Sequence, residues 1–243
     1  MPTPGTREFF AAFICLALAL AGCSKDQSKT SPPPTSPSSP SPTPIPSFTT
    51  EQIKSSLLDE RDLGKDWKET EQLSAFKEGE LRGCSEARIE LIGEPARSSK
   101  KFGGPDHSFT GANYARFIAV YKSADQASDA FEQVRNSLAK CPDKKKIPFK
   151  RLPKKKFVYQ HDDTWKLTEN EIEGWRHARG SEKSVYPESV SLINVIHYSI
   201  DYAQRGNVIF SSMYYQRAKP KESSDPIFEA ADEILLEQLK RFR

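Results

Sequence analysis

Residues 190–216 constrain the fold more than any other stretch. Val190, Leu192, Ile196, Tyr198, Ile200 and Tyr202 share one face of an extended chain, broken only by Asn194, while Ser191, His197, Ser199 and Asp201 fall on the other. A period of two predicts a half-buried strand. Gln204-Arg205-Gly206-Asn207 then offers the glycine and asparagine that a tight hairpin turn needs, and 208–216 returns as the antiparallel partner.

The elements around this hairpin are one more strand and several helices. Tyr114 to Tyr121 is dense in aromatic and β-branched residues and reads as a strand with Ala115, Phe117, Ala119 and Tyr121 on one face. Ser123 caps a helix whose Ala124, Ala127, Phe131, Val134 and Leu138 form one buried stripe, closed by Cys141-Pro142. Upstream, Thr49 or Thr50 caps a short helix carrying Ile53, Leu57 and Leu58, which Leu63-Gly64 ends near Trp67. A second short helix is expected from Cys84, with Ile89, Leu91 and Ile92. The last helix, 226–242, shows Phe228, Ala231, Leu235, Leu239 and Phe242 as its stripe. Strands grouped between helices predict an α+β domain over residues 48–243, an antiparallel sheet flanked by helices. At about 200 residues, that stretch is long enough for one well-buried core.

The chain ahead of it reads as an address. Phe9 to Ala21 is an apolar run of 13 residues, short of the roughly 20 that span a bilayer as a helix. Arg7 is its only basic flank, and Glu8 cancels it. Leu20-Ala21-Gly22-Cys23 follows and resembles a bacterial lipobox. The resemblance implies that 1–22 is a signal peptide, that cleavage falls before Cys23, and that a diacylglyceryl group on its sulfur holds the protein at a membrane. From Ser24 to Ser47 there are eight prolines and no aromatic residue, so 23–47 is read as a lipidated cysteine and a disordered tether. As a polyproline-like spacer it reaches up to roughly 75 Å.

Cysteine usage fits export. With Cys15 in the leader and Cys23 lipidated, Cys84 and Cys141 remain and read as one disulfide. A catalytic or metal-binding cysteine is the sharper alternative, but neither lies in a C-x-x-C or beside a histidine in sequence.

Between Lys140 and Lys156 lie nine basic residues and one acid, Asp143, a local charge of +8 in a chain whose total is +3. Lys144, Lys145, Lys146, Lys150, Arg151, Lys154, Lys155 and Lys156 make up the candidate anion-binding patch. Pro142, Pro148 and Pro153 favour an exposed loop, or an edge strand with Ile147, Phe149 and Leu152 turned inward. Outside a cell the available polyanions are lipid headgroups and wall polymers, and nucleic acid is not expected as a partner. No nucleophile elbow, zinc-protease motif or phosphate-cradling loop is present, and the histidines at 107, 161, 177 and 197 are scattered. His161-Asp162-Asp163 reads as a polar turn rather than a metal site, and no cofactor is implied. Tyr198, Tyr202, Met213, Tyr214 and Tyr215 could line a pocket for a small apolar ligand between sheet and helices, or serve as core.

The unit Phe117–Val134 followed by Cys141, with Leu57-Leu58, Leu63-Gly64 and the terminal amphipathic helix, resembles sensor-like domains of actinobacterial lipoproteins. These are similar to the extracellular domain of a mycobacterial serine/threonine kinase. The resemblance implies a helix-flanked antiparallel sheet and a ligand-sensing cleft. The expected function is a noncatalytic, lipid-anchored binding or sensor-like module on the outer face of the plasma membrane. The alternatives are an envelope hydrolase or transferase, or a wall or membrane tether acting through residues 140–156.

Overall fold

The hairpin forms around the turn that the alternation requires. β11 (Val195–Arg205) and β12 (Val208–Ala218) pair antiparallel from Val195↔Ala218 to Arg205↔Val208. Gly206 takes φ +54°, a backbone state that glycine adopts freely. The structure is a computed structural model and describes residues 46–70, 76, 80–104, 111–153 and 157–242, all within one compact unit, Thr43–Arg243.

The other elements in chain order are α1 (Thr50–Ser56), α2 (Glu60–Leu63), β1 (Lys68–Glu69), β2 (Glu80–Arg82), β3 (Arg88–Glu90), β4 (Ala96–Gly103), β5 (Asn113–Val120), α3 (Ala124–Leu138), β6 (Lys144–Ile147), β7 (Lys150–Arg151), β8 (Phe157–Val158), β9 (His161–Ile172), β10 (Trp175–Val185) and α4 (Asp225–Arg241). Eight strands form one antiparallel sheet in the order β1-β4-β5-β12-β11-β10-β9-β6. The domain is therefore α+β, as the sequence predicts.

Both faces of the sheet are covered. On one, α3 lays Ala127, Phe131, Val134 and Leu138 against Ala115, Phe117, Ile200 and Tyr202, with Leu81 and Ile89 of the β2–β3 pair beside them. On the other, Ile53 of α1 and Leu235 and Leu239 of α4 meet Ile118, Trp175 and Phe210, while Ile227 and Ala231 of α4 pack near Tyr114 and Tyr214. This second layer corrects the half-buried reading of β11. Its polar side, His197, Ser199 and Asp201, is buried beneath α4 rather than turned to water.

Several local expectations change for visible reasons. β11 starts at Val195, and Val190 and Leu192 are 37% and 80% exposed in the preceding loop. Asn194, the break in the alternation, closes that loop: its Nδ2 donates to the Tyr186 carbonyl at 2.6 Å, and its carbonyl accepts the Tyr186 N–H at 2.8 Å. The single helix expected over Ile53–Leu63 is two, because the Asp59 carboxylate accepts the N–H groups of Arg61 and Asp62 and starts α2 afresh. Gln238 of α4 bridges the break, accepting from Leu58 N–H at 2.9 Å and donating to the Ser56 carbonyl at 3.0 Å. From Cys84 there is one 3-10 turn, Cys84–Glu86, and then β3. Ser85 and Glu86 lie at φ +47° and +63°, which no helix continues, and Ile89 and Leu91 are buried while Ile92 is exposed, a strand-like spacing. In α4, Ile227 takes the buried place expected of Phe228.

Both termini of the domain meet at the Gly206 end. The Asn207 side chain accepts Phe48 N–H at 2.7 Å and donates to the Phe48 and Tyr121 carbonyls at 3.1 and 3.0 Å. The Phe48 ring packs against Trp175 and Phe242. At the middle of β10, a Cβ on Gly180 would lie 1.9 Å from the Trp165 ring. Gly180→Ala is accordingly expected to cost about 1–3 kcal/mol through overpacking, seen as a lower Tm and an altered tryptophan signal in near-UV circular dichroism. An unchanged Tm would show that the indole can turn aside.

Candidate functional site

β9 and β10 form a long hairpin around Glu173-Gly174, with Ile172↔Trp175 as the last pair. Both turn residues have positive φ, +52° and +75°, the requirement of a tight primed turn. The register sets the odd-numbered side chains of β10 against α4, so His177 and Arg179 face Asp201 of β11 across one strand spacing.

Asp201 is the centre of this buried group. It accepts from His177 Nε2 at 2.9 Å, Arg179 Nε at 2.6 Å and Ser199 Oγ at 3.2 Å. Burial alone would raise its pKa, but the His177 hydrogen bond and the Arg179 charge outweigh it and hold the carboxyl below its ordinary range. His177 Nδ1 lies 2.6 Å from Asn170 Oδ1. Arg179 reaches outward to Asp232 of α4 through Nη1. Ser199 donates to the carboxylate and not to the imidazole, so the constellation lacks the serine–histidine contact on which a hydrolytic relay depends.

Above this group lies a groove of about 420 Å³ between the β9–β10 hairpin and α4, with Ile172, Leu235 and Leu236 as its apolar wall and Thr168, Glu169, Asn170, His177, Arg179 and Asp232 as its polar lining. Arg179 Nη2 is buried and has no hydrogen-bond partner among the described residues. An unpaired buried donor is costly, and the Arg179 side chain is one of the residues lining the groove.

The tyrosine cluster proposed from sequence is divided by the sheet. Tyr198, Tyr202, Met213 and Tyr215 lie on the α3 face, with Tyr198 and Tyr215 rings 5.2 Å apart, whereas Tyr214 lies on the α4 face beside Trp67. Arg82 stands 4.4 Å above the Tyr198 ring and pairs with Glu182 at 2.8 Å, both side chains being buried. Tyr202 donates its hydroxyl to the Arg82 carbonyl. Burial raises the Glu182 pKa despite the Arg82 charge. The other Glu182 oxygen accepts Ser85 N–H at 2.5 Å, and so fixes the strained turn that carries Cys84.

Cys84 and Cys141 are disulfide-bonded, with Cα atoms 6.0 Å apart. The bridge ties the 3-10 turn to the end of α3, just before β6. Cys23 lies outside the described residues, as do His107 and Lys154–Lys156.

The basic segment is an edge hairpin. Lys144, Lys145 and Lys146 lie on β6, the outermost strand, and Lys150 and Arg151 on β7, all five exposed. Phe149 is 55% exposed, as the exposed-loop reading has it and unlike the inward placement of the edge-strand reading, because β7 and β8 extend beyond the eight-stranded sheet. His161-Asp162-Asp163 is not a turn but the start of β9. His161 stacks on Tyr186, and Asp163 accepts from Ser184 Oγ at 2.6 Å. His197 lies apart from the Asp201 group, beside Phe228, with its pKa lowered by burial and by Lys183. Sequence reasoning missed His177, Arg179 and the groove. The sole local signal was Glu173-Gly174.

No described helix is long and apolar enough to cross a membrane. Among the described residues no three of His, Cys, Asp and Glu converge as a metal site requires. No family model and no curated protein matches the sequence. Among solved structures, the extracellular domain of PknH from Mycobacterium tuberculosis aligns over 81% of this chain and 100% of its own, at 8% identity and TM-score 0.46. A Bacteroides thetaiotaomicron protein aligns over 71% of this chain and 41% of its own, at 13% identity and TM-score 0.30. Protein PA94 from Pseudomonas aeruginosa aligns over 65% of this chain and 92% of its own, at 13% identity and TM-score 0.32. The chain is thus similar to each of these only distantly.

Proposed function

We propose that this protein is a noncatalytic binding module of sensor-like type, held on the outer face of the plasma membrane by lipid on Cys23, with the groove between the β9–β10 hairpin and α4 as its ligand site. The observation that carries the reading is the groove itself, where Ile172, Leu235 and Leu236 stand opposite a polar lining that includes Arg179, whose buried Nη2 has no partner among the described residues. The remaining charges at the floor are already matched, Asp201 by His177 and Arg179, and Asp232 by Arg179. Such a floor orients a ligand through one hydrogen bond and offers no activated nucleophile. With two carboxylates beside Arg179, a neutral oxygen acceptor on an apolar body suits the groove better than an anion does.

Medium-chain monoacylglycerols supply that chemistry. They are expected to raise the Tm independently of salt, by about 2.7 kcal/mol of stabilisation at a hundredfold excess over Kd. Leu236→Glu places a charge on the groove wall at a position already partly exposed. It is expected to abolish the shift while leaving the unliganded Tm close to that of the parent. Equal shifts in both proteins, or none in either, would remove the groove from this account.

A further inference from the structure

The β7–β8 hairpin carries a surface that the groove does not use. β6 pairs with β9 as Lys144↔Thr164 through Ile147↔His161, and β7 pairs with β8 as Lys150↔Val158 and Arg151↔Phe157. The register is the same in both, so the two pairs form one long hairpin whose outer part leaves the sheet. Phe149, Arg151, Phe157 and Tyr159 fall on one side of it, and Lys144, Lys146 and Lys150 on the other. The three rings gather at 5.9, 6.3 and 6.5 Å between centroids, and the Arg151 guanidinium lies 5.6 Å from the Phe157 ring. Phe149, Phe157 and Tyr159 nonetheless remain 55%, 42% and 48% exposed.

The surroundings are cationic. Among the described residues none of Lys144, Lys145, Lys146, Lys150 and Arg151 has a carboxylate partner, and the nearby acids in sequence are Asp143, Asp162 and the buried Asp163. The β10–β11 loop ends at the same edge of the sheet, since Val185 pairs with both Asp162 and Val195, and it presents Leu192 at 80% exposure. Clustered aromatics with a basic surround are the side-chain set of a membrane interface, where rings enter the headgroup boundary and cations stay among the phosphates.

We infer that the β7–β8 hairpin docks the domain on an anionic lipid bilayer by its projecting end, with Phe149, Phe157 and Tyr159 inserted, and with Arg151 beside them and Lys150 on the other side of the hairpin reaching the headgroups. A wall polymer would satisfy the cations but has no apolar phase for three rings. The inference rests on the proposed lipid anchor only for the nearness of a membrane.

The test uses the chain from Ser24 to Arg243, which cannot be acylated, with phosphatidylcholine vesicles made with and without phosphatidylglycerol. Binding is expected only with the anionic lipid, and a Tyr159→Trp variant should show a blue-shifted emission on binding. The triple variant Phe149→Ser, Phe157→Ser and Tyr159→Ser, at solvent-exposed positions, should keep the parental Tm and lose about tenfold or more in vesicle affinity. Lys150→Gln with Arg151→Gln should lose about fivefold per charge removed. Absence of vesicle binding would overturn the proposal. So would binding that the triple variant retains and that dextran sulfate reproduces, which would make the partner a polyanion. Lipidation is read separately from the mass of the Cys23 peptide of the native protein, so failure of the anchor and failure of the hairpin are distinguishable.

Discussion

Asp201→Ala is expected to cost about 3–5 kcal/mol of folding free energy, because it leaves the Arg179 and His177 side chains buried without their shared carboxylate. In a domain of this size that lowers Tm by roughly 6–20 °C. The loss should come from the uncompensated partners rather than from the pair itself. Asp201→Leu combined with Arg179→Met should therefore be less destabilising than Asp201→Ala alone, and a double variant that loses the sum of both single effects would contradict this account. The carboxyl also leaves a pH signature. Its folded pKa lies below its unfolded value of 3.8, so its contribution is present above that pH and is lost as pH falls through the folded value. His197, held below 6.5 by burial and by Lys183, adds a loss in the same direction that begins below 6.5. Glu182 opposes both, since its raised pKa favours the fold at low pH and weakens it as pH rises through the folded value. Asp201→Asn should therefore flatten the decline in stability below pH 3.8, measured by denaturant unfolding across the range.

Replacing Cys84 and Cys141 together by alanine is expected to lower Tm by about 8–16 °C. Opening the 58-residue segment they close restores about 4 kcal/mol of chain entropy to the unfolded state. Reduction of the parent protein should give the same fall, and the double variant should not respond to reductant. Detection of two free thiols in the untreated parent would refute the bridge. The damage should be local as well as global, because the Cys84 turn holds Ser85 and Glu86 at positive φ and loses one of the contacts that fix it, keeping the Glu182 carboxylate and the backbone bonds between Gly83, Cys84 and Ala87.

The elements legible in the sequence are those whose burial follows a single period. α3 begins at the Ser123 cap and buries Ala127, Phe131, Val134 and Leu138 of the expected stripe, with Ala130 added and Ala124 only partly covered, and β5 places Ala115, Phe117 and Ala119 on the α3 face. β9 and β10 were hidden for the opposite reason. His161, Asp163, Glu182 and Ser184 lie on one face of these strands and His177 and Arg179 on the other, all buried or nearly so yet polar, and hydrophobic patterning cannot mark buried positions filled by paired charges. The same blindness covers the candidate site, since Asp201 and Ser199 read as a water-facing side until α4 is placed over them. The hairpin lies at the other extreme. An inward Phe149 follows only if its segment is an edge strand of the main sheet, whereas its position beyond that sheet leaves the ring exposed. The tyrosines were grouped by sequence proximity, and Tyr214 shows that neighbours on one strand belong to different layers.

The clamp between Phe48 and Asn207 brings the chain into the domain at the Gly206 end, and the β7–β8 hairpin projects from the other. The run from Ile172 to Phe157 is 16 residues of mostly extended chain, about 50 Å at strand rise, and the proline-rich segment can span roughly 75 Å. A lipid at Cys23 and a hairpin on the same bilayer are thus compatible with the lengths involved, and docking then becomes an intramolecular event. With the proposed lipid on Cys23, the proline-rich segment would set an effective concentration of the hairpin near the surface that can reach the millimolar range. A contact too weak to hold a free protein would then suffice to decide how the tethered domain is oriented, and a modest change in salt or lipid charge would release one end while the other stayed fixed.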